Sequence, residues 1–378
     1  MLTPISRRDL EDASSQARAQ LVIDRVRETG IKGLGGGKFP TAAKLSLAHS
    51  ATGLIINGMQ SEPDNKSDMA LLQAETQATI AGIGLVTLVC AAKTITLALP
   101  TGLDKGLSAD VQKALQDELD WLNEFGSKTC DARQVYLPGD YAIGEEHELA
   151  RRLGLIHSLE DAGEYQAETE QQSTIPLIEL GVLCINLATC YAIGQSVYQG
   201  ELLTRRMVTV NGEAKWLDFG TPVAEVVSPA WINGRHGGNA NHRQQVDAGT
   251  FCITAPPPNP IAPCINCSAC RPVCPVNLEP DELYRASVKG PVLSHLNLDA
   301  CIECGACNAA CPSGLHLTQQ FREAKRLMTK TGKLKADAAK ANARVKTREQ
   351  RLKRDEEQRE EQRKERVQAR SEDGRRTW

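Results

Sequence analysis

Two copies of one cysteine pattern stand in tandem between residues 264 and 312, and nothing else in the chain restricts its fold as much. The first reads Cys264-Ile-Asn-Cys267-Ser-Ala-Cys270-Arg-Pro-Val-Cys274-Pro275, the second Cys301-Ile-Glu-Cys304-Gly-Ala-Cys307-Asn-Ala-Ala-Cys311-Pro312. Both are C-x2-C-x2-C-x3-C-P. Three thiolates on one tight loop can grip three corners of a [4Fe–4S] cube, and the fourth corner needs a ligand from elsewhere. In this spacing the fourth cysteine of each run serves the other cluster. The expected sets are Cys264, Cys267, Cys270 and Cys311 for one cluster, and Cys301, Cys304, Cys307 and Cys274 for the other. Zinc would fit paired C-x2-C units, not four cysteines and a proline twice over. A disulfide framework needs an oxidising compartment, and Met1 to Arg8 carries no apolar export segment. A chain built around this pattern moves electrons.

Length sets the frame for the rest: 378 residues are enough for two or three domains with a sizeable core. A net charge of −3 with 24% charged residues gives no reason to expect nucleic-acid binding. Of the 13 cysteines, Cys90, Cys130, Cys184, Cys190 and Cys252 lie outside the runs. That odd, irregular set reads as reduced thiols in a cytoplasmic protein, with Cys184 and Cys190 packed as small hydrophobes. The most apolar stretch, Ala78 to Leu99, is interrupted by Lys93 and reads as a buried helix followed by a strand. No direct membrane span is expected, so membrane contact would come through partners.

The first two thirds of the chain alternate between helix and strand signals. Residues 6–29 read as one amphipathic helix with Ser6 as N-cap and Gly30 as its end. A glycine-rich loop follows, from Gly30 through Gly33, Gly35, Gly36, Gly37, Lys38 and Phe39 to Thr41. Bare backbone of this kind approaches a phosphate or forms a surface turn. It is neither a P-loop nor the dinucleotide G-x-G-x-x-G. Leu54–Asn57 reads as a buried strand running into the polar stretch Gly58 to Asp64, where open α/β sheets place ligands. A helix over 67–89, a strand over 94–99 and a helix over 110–125 continue the alternation, which predicts a parallel sheet covered by helices. In Gly139-Asp-Tyr141-Ala-Ile-Gly144-Glu145-Glu146-His147, the paired carboxylates read either as helix-capping charges or as groups facing a flavin or ribose. His147 reads as a surface helix residue.

Taken in order, the glycine loop with Phe-Pro-Thr, then Asn57 followed by Glu62-Pro63, then Gly139-x-Tyr141-x-x-Gly144-Glu145-Glu146, resemble the flavin domain of respiratory complex I. With two tandem cysteine runs added, the arrangement is similar to the C subunit of the Rnf electron-transport complex and its relatives, including the cobalamin reductase of propanediol utilisation. Gly181 to Ala192 resembles the family's Asn-containing flavin strand, and 203–223 its small β-grasp module, where Asn211-Gly212 is a good hairpin turn. The resemblance implies FMN bound through Gly33, Gly35, Gly36, Lys44, Asn57, Tyr141, Glu145, Glu146 and Asn186. It places Glu62 on the nicotinamide side of NAD(P)H and Phe39 against its adenine, with Glu62 and Glu145 as the candidate catalytic carboxylates. Lys38, counted with the cofactor-binding residues, stands where the family has glycine, and either grips a phosphate or closes the site. Met59 and Gln60 replace two acids, and Leu47 replaces an aromatic.

The expected fold is an α/β flavin domain, a β-grasp (SLBB-like) module and an α-helical dicluster ferredoxin domain, ending in a charged tail. The boundaries run 1–29 for an N-terminal helix, 30–180 for the flavin domain, 181–233 for the β-grasp module and 234–260 for a loop and Pro-rich linker. The cluster domain covers 261–330 and the tail 331–378, whose unbroken charge cannot bury a core. The chain reads as a short form without the N-terminal domain of Rnf C subunits. Ser268 holds in the first run the position that Gly305 holds in the second, and its hydroxyl could donate to a cluster sulfide, which would make the two cubes unequal. Two functions stay open. One is a redox subunit passing electrons between NAD(P)H, FMN, two [4Fe–4S] clusters and a redox protein, which includes a membrane-bound electron-transport complex. The other is a non-enzymatic electron adaptor whose flavin site has degenerated.

Overall fold

Gly53–Asn57 is apolar at every side chain but its last, and every one of its residues is buried, as a strand covered on both faces must be. In the computed structural model it forms β1. The model describes residues 2–59, 65–90, 92–103, 105–125, 130–139, 141–156, 177–228, 230–233, 235–236, 244–255, 261–290 and 296–330. The chain divides into two units, Met1–Arg322 and Glu323–Trp378; in the second, residues 323–330 are helical. The Pro-rich linker at 256–260 and the tail from 331 lie outside the described residues.

The first sheet has four parallel strands in the order β3-β2-β1-β4, with β2 at Thr94–Pro100, β3 at Asp131–Leu137 and β4 at Val182–Asn186. Alternate residues of β1 point to opposite faces. Leu54 and Ile56 join one core, while Ile55 joins a second with Ala98, Cys184, Ile143 and Leu149. Helices before and between the strands are α1 (Arg7–Asp12), α2 (Ser15–Thr29), α3 (Thr41–Ser46), α4 (Ser67–Ala74), α5 (Thr76–Val89) and α6 (Lys105–Phe125). Then come α7 (Glu146–Arg152) and, after β4, α8 (Leu187–Gly194). The backbones of α5 and α8 nearly touch: a Cβ on Gly82 would stand 1.8 Å from the Cys190 carbonyl oxygen.

Several expected elements are divided differently. The helix over 6–29 is two helices, each started by a serine: Ser6 forms a capping box with Asp9, and Ser14 accepts from the Ala17 N–H. The helix over 67–89 breaks at Glu75, whose φ of −134° leaves the helical region. The domain boundary at 180/181 falls too early, because β4 hydrogen-bonds to β1 along its length and α8 packs on α5.

A second sheet begins at β5 (Arg205–Val210) and pairs as β6-β5-β9-β7-β8. β6 is Glu213–Asp218, β7 Trp231–Ile232, β8 Arg235–His236 and β9 Cys252–Thr254, with α9 (Val223–Val226) between β6 and β7. Asn211 and Gly212 both have positive φ and close the β5–β6 hairpin, as the dipeptide predicts. The cysteine segment carries α10 (Pro280–Lys289), α11 (Ala306–Ala309) and a helical run over 317–330. Among the described residues, no helix is long and apolar enough to cross a membrane.

Candidate flavin cavity and cysteine sites

An open cavity of about 530 Å3 lies at the carboxyl ends of β1 and β4, where their last residues, Asn57 and Asn186, sit side by side in register. This is where open parallel sheets bind ligands. Of the sequence candidates, Gly33, Gly35, Gly36, Lys38, Phe39, Lys44, Asn57, Glu145, Glu146 and Asn186 line it. Tyr141 lies in the short turn Tyr141–Gly144 that leads to Glu145, and its side chain is outside the described structure, as is Glu62 altogether.

The glycine loop is pinned from beneath. The Leu34 N–H donates to Thr189 Oγ1 at 2.9 Å, and its carbonyl accepts from Arg206 Nη2 at 3.1 Å. Arg206 is buried on β5 and also donates to the carbonyl of Ala248, so one guanidinium ties the glycine loop to the segment before β9. Burial pulls its pKa down to about 10, against the opposing pull of Asp68 and Asp247. Asp68 is buried too, which raises its pKa, and it accepts from Asn186 Nδ2 at 2.7 Å. Gly36 has a φ of +101°, and a Cβ there would stand 3.0 Å from the Phe251 ring. The loop therefore needs glycine both for its turn and for the ring packed against it.

Most polar candidates are already employed. Asn57 Nδ2 donates to the Gly144 carbonyl at 2.9 Å and its Oδ1 accepts from the Met59 N–H at 3.0 Å. Glu145 caps α7, with Oε2 accepting from the His147 and Glu148 N–H groups and Oε1 3.1 Å from His147 Nδ1. His147 is buried under that contact, not on the surface as its sequence setting suggested. Lys44 pairs with Glu146 at 3.0 Å; burial alone would lower the lysine pKa, but the carboxylate outweighs it and holds it raised. Lys38, which lines the cavity, has a left-handed φ of 53° and pairs with Asp247, so its charge is taken up by the protein. The group that does point to a ligand is Thr41: its Oγ1 is buried against this cavity with no hydrogen-bond partner among the described residues. Bare loop backbone and an orphaned hydroxyl in one cavity suit a phosphorylated, hydrogen-bonding cofactor such as FMN.

Asn233, just after β7, Phe251, just before β9, and Glu303, Cys304 and Arg322, from the cysteine segment, also line it. None of these was singled out as a flavin-site residue. The strands that adjoin the first two are too short for a periodic signal, whereas Cys304 was assigned to a cluster alone.

Cys274, Cys301, Cys304 and Cys307 line a second, small cavity together, so the cysteine from the first run has crossed to the second. Burial pushes the Cys304 thiol up to about 12 and raises Cys307, with the neighbouring cysteines adding to both. Cys270 and Cys311 are likewise neighbours, and residues 262–263 bond to Ser313. Among the described residues no three Cys, His, Asp or Glu side chains converge on a point suited to a single ion. A cube ligated at four corners spreads its thiolates more widely than one ion does. Both runs share one backbone form, with positive φ at Asn266 and Glu303, at Ser268 and Gly305, and at Asn277 and Gly314. The Ser268 hydroxyl, a candidate donor to a sulfide, donates instead to Asp281 at 3.3 Å, a buried carboxylate that also takes Arg271.

Residues 26–195 match the Nuo51 FMN-binding domain and residues 263–315 the 4Fe-4S dicluster domain. The chain thus joins a flavin-binding α/β domain to an iron–sulfur domain for two clusters. It is similar to the C subunit of the ion-translocating oxidoreductase complex from Haemophilus influenzae (strain PittEE), with 30% identity over 74% of this chain and 43% of that protein. The Erwinia tasmaniensis counterpart is also 30% identical over 74% of this chain, and 34% of its own length is covered. The chain therefore spans less than half the length of these curated relatives. In fold it is similar to a chain from the crystal structure of an NAD+-reducing [NiFe]-hydrogenase in the H2-reduced state, with a TM-score of 0.52 and 15% identity over 85% of this chain and 62% of that one.

Proposed function

We propose that the chain is an electron-transfer oxidoreductase subunit of the kind found as the C subunit of ion-translocating complexes, passing electrons between FMN and two [4Fe–4S] clusters. NAD(P)H serves as the two-electron partner of the flavin, and a redox protein of a membrane complex, met at the cytoplasmic face, as the one-electron partner. FMN, when bound, exchanges electrons in pairs on one side and singly on the other. The observation that carries the reading is that Cys304 lines the same cavity as the glycine loop, Asn57 and Asn186. The cluster on Cys301, Cys304, Cys307 and Cys274 is then the station beside the flavin, and the one on Cys264, Cys267, Cys270 and Cys311 the outer station.

This chain's residues divide the work. The glycine loop offers backbone N–H groups to the phosphate, and Thr41 its free hydroxyl. Asn57, through its bond to the Gly144 carbonyl, holds the turn from Tyr141 to Gly144 at the cavity, and Glu145 caps α7 after it; Lys44 and Glu146 present a paired charge. Lys38 lines the cavity with its charge paired to Asp247. The module from β5 to β9 is read as the β-grasp (SLBB-like) unit, with Arg206 keying it to the flavin domain.

Protein purified without oxygen should hold about one FMN and about eight irons, the complement of two cubes. Bleaching of the flavin by NADH and NADPH is the following assay. Eight irons without flavin would sink this reading in favour of the electron adaptor, but the orphaned Thr41 hydroxyl and the cleared glycine loop favour flavin.

A further inference from the structure

The cysteine segment repeats itself 37 residues on, from Cys264 to Cys301 and from Cys274 to Cys311, and the correspondence runs past the cysteines. The residue ahead of each middle cysteine is left-handed although neither is glycine: φ is 56° at Asn266 and 58° at Glu303. In both copies an arginine 19 residues further on holds that side chain. Arg285 Nη1 donates to Asn266 Oδ1 at 2.6 Å, and Arg322 pairs with Glu303. Other polar pairs differ between the copies: Arg271 forks onto Asp281 at 2.8 and 3.0 Å, where the second copy has Asn308 bonded to Thr318. Among the side-chain contacts of the described residues, the arginine brace recurs in both copies with the same residue type as donor.

We propose that Arg285 and Arg322 are positioning residues that fix the middle cysteines, Cys267 and Cys304, and that Arg322 in addition sets the charge between cluster and flavin. The inference rests on the cofactor reading above. Its first half follows from the backbone. A left-handed glutamate is disfavoured and a left-handed asparagine less so, so the brace holds a loop form on which the cysteine direction depends.

Its second half follows from what surrounds each arginine. Arg322, Glu303 and Cys304 all line the flavin cavity. Arg285 shares Asp281 and Glu282 with Arg271, whereas the matching positions in the second copy are the uncharged Thr318 and Gln319. Removing Arg322 thus takes a positive charge from beside Glu303 and Cys304 while the carboxylate stays, which opposes the arrival of an electron. Removing Arg285 leaves only the neutral Asn266 on its loop.

The test is a redox titration of the anaerobic full chain, read by electron paramagnetic resonance, with iron counted in every variant. Arg322→Gln should lower the potential of the flavin-side cluster by about tenfold in its reduction equilibrium, about 59 mV for one electron, the scale of one unit charge about 10 Å away at an effective dielectric near 20. The outer cluster should stay put. Arg322→Lys should keep the wild-type potential, and Glu303→Gln combined with Arg322→Gln should restore most of it, which a merely structural brace would not. Arg285→Gln should disturb the outer cluster alone. Should Arg322→Gln assemble no flavin-side cluster, the lysine and double variants carry the comparison. Unchanged potentials, or equal shifts of both clusters, with about eight irons present would overturn the proposal. Fewer irons in the wild type would overturn the cofactor reading instead.

Discussion

Glu118 is a carboxylate placed where its charge is costly. It is buried on α6, pairs with Arg7 of α1, and its Oε1 has no hydrogen-bond partner among the described residues. Burial lifts its pKa from 4.5 to about 7, with Arg7 pulling the other way. The folded protein therefore holds this proton more tightly than the unfolded chain. That contribution to stability is complete below about pH 4.5 and lost as the pH rises to about 7, and amounts to at most about 3 kcal/mol. Glu118→Gln should melt higher than wild type at pH 8, with the gap shrinking by pH 5. Lys38 offers a second test. A left-handed residue other than glycine costs about 1–2 kcal/mol, and an ion pair between half-exposed partners contributes about 0–1 kcal/mol. Lys38→Gly should leave the urea midpoint nearly unchanged, whereas Lys38→Ala keeps the strain, loses the pair and should unfold earlier. At this scale the sequence showed which residues matter better than what they do. Asn57, Glu145 and Glu146 were legible as candidates and do line the cavity, but only the fold reveals that protein groups already occupy them. Thr41 stood in a quoted motif, yet nothing in its spelling says that its hydroxyl is left over.

Between elements, the seam of α5 and α8 is the tightest contact. Gly82→Ala should cost about 3 kcal/mol or more, because the obstacle is the Cys190 backbone and cannot swing aside. Gly37→Ala, which meets nothing within 4 Å, is the control and should be near neutral in the same denaturation series. The alternation of strand and helix gave the parallel sheet, since strands buried on both faces spell themselves as apolar runs. The breaks were harder. Ser14 is a recognisable second cap within 6–29, but the turn at Glu75 has no residue that announces it. Strands of two or three residues, such as β7 and β9, carry no period, so the wall of the cavity built from Asn233 and Phe251 was illegible.

For the molecule as a whole, the crossing of Cys274 to the second run links the two halves of the cysteine segment. Cys274→Ser should drop the iron content from about eight to about four, removing the flavin-side signals and sparing the outer ones, as iron assay and paramagnetic resonance would show. The tandem motif made this pairing readable in advance, because ligand number and spacing are written in sequence. The lodging of Cys304 in the flavin cavity was not, since it depends on how distant segments meet.

That lodging gives the two halves unequal histories to come. A duplicated unit starts with twin copies under the same demands. Here one twin faces inward, where Glu303, Cys304 and Arg322 share a wall with the glycine loop, while in the other Ile265 and Cys267 are exposed. The inward copy can change only in step with the cavity. The outward copy is free to be reshaped for a new electron partner, and lineages of this protein should diverge there first.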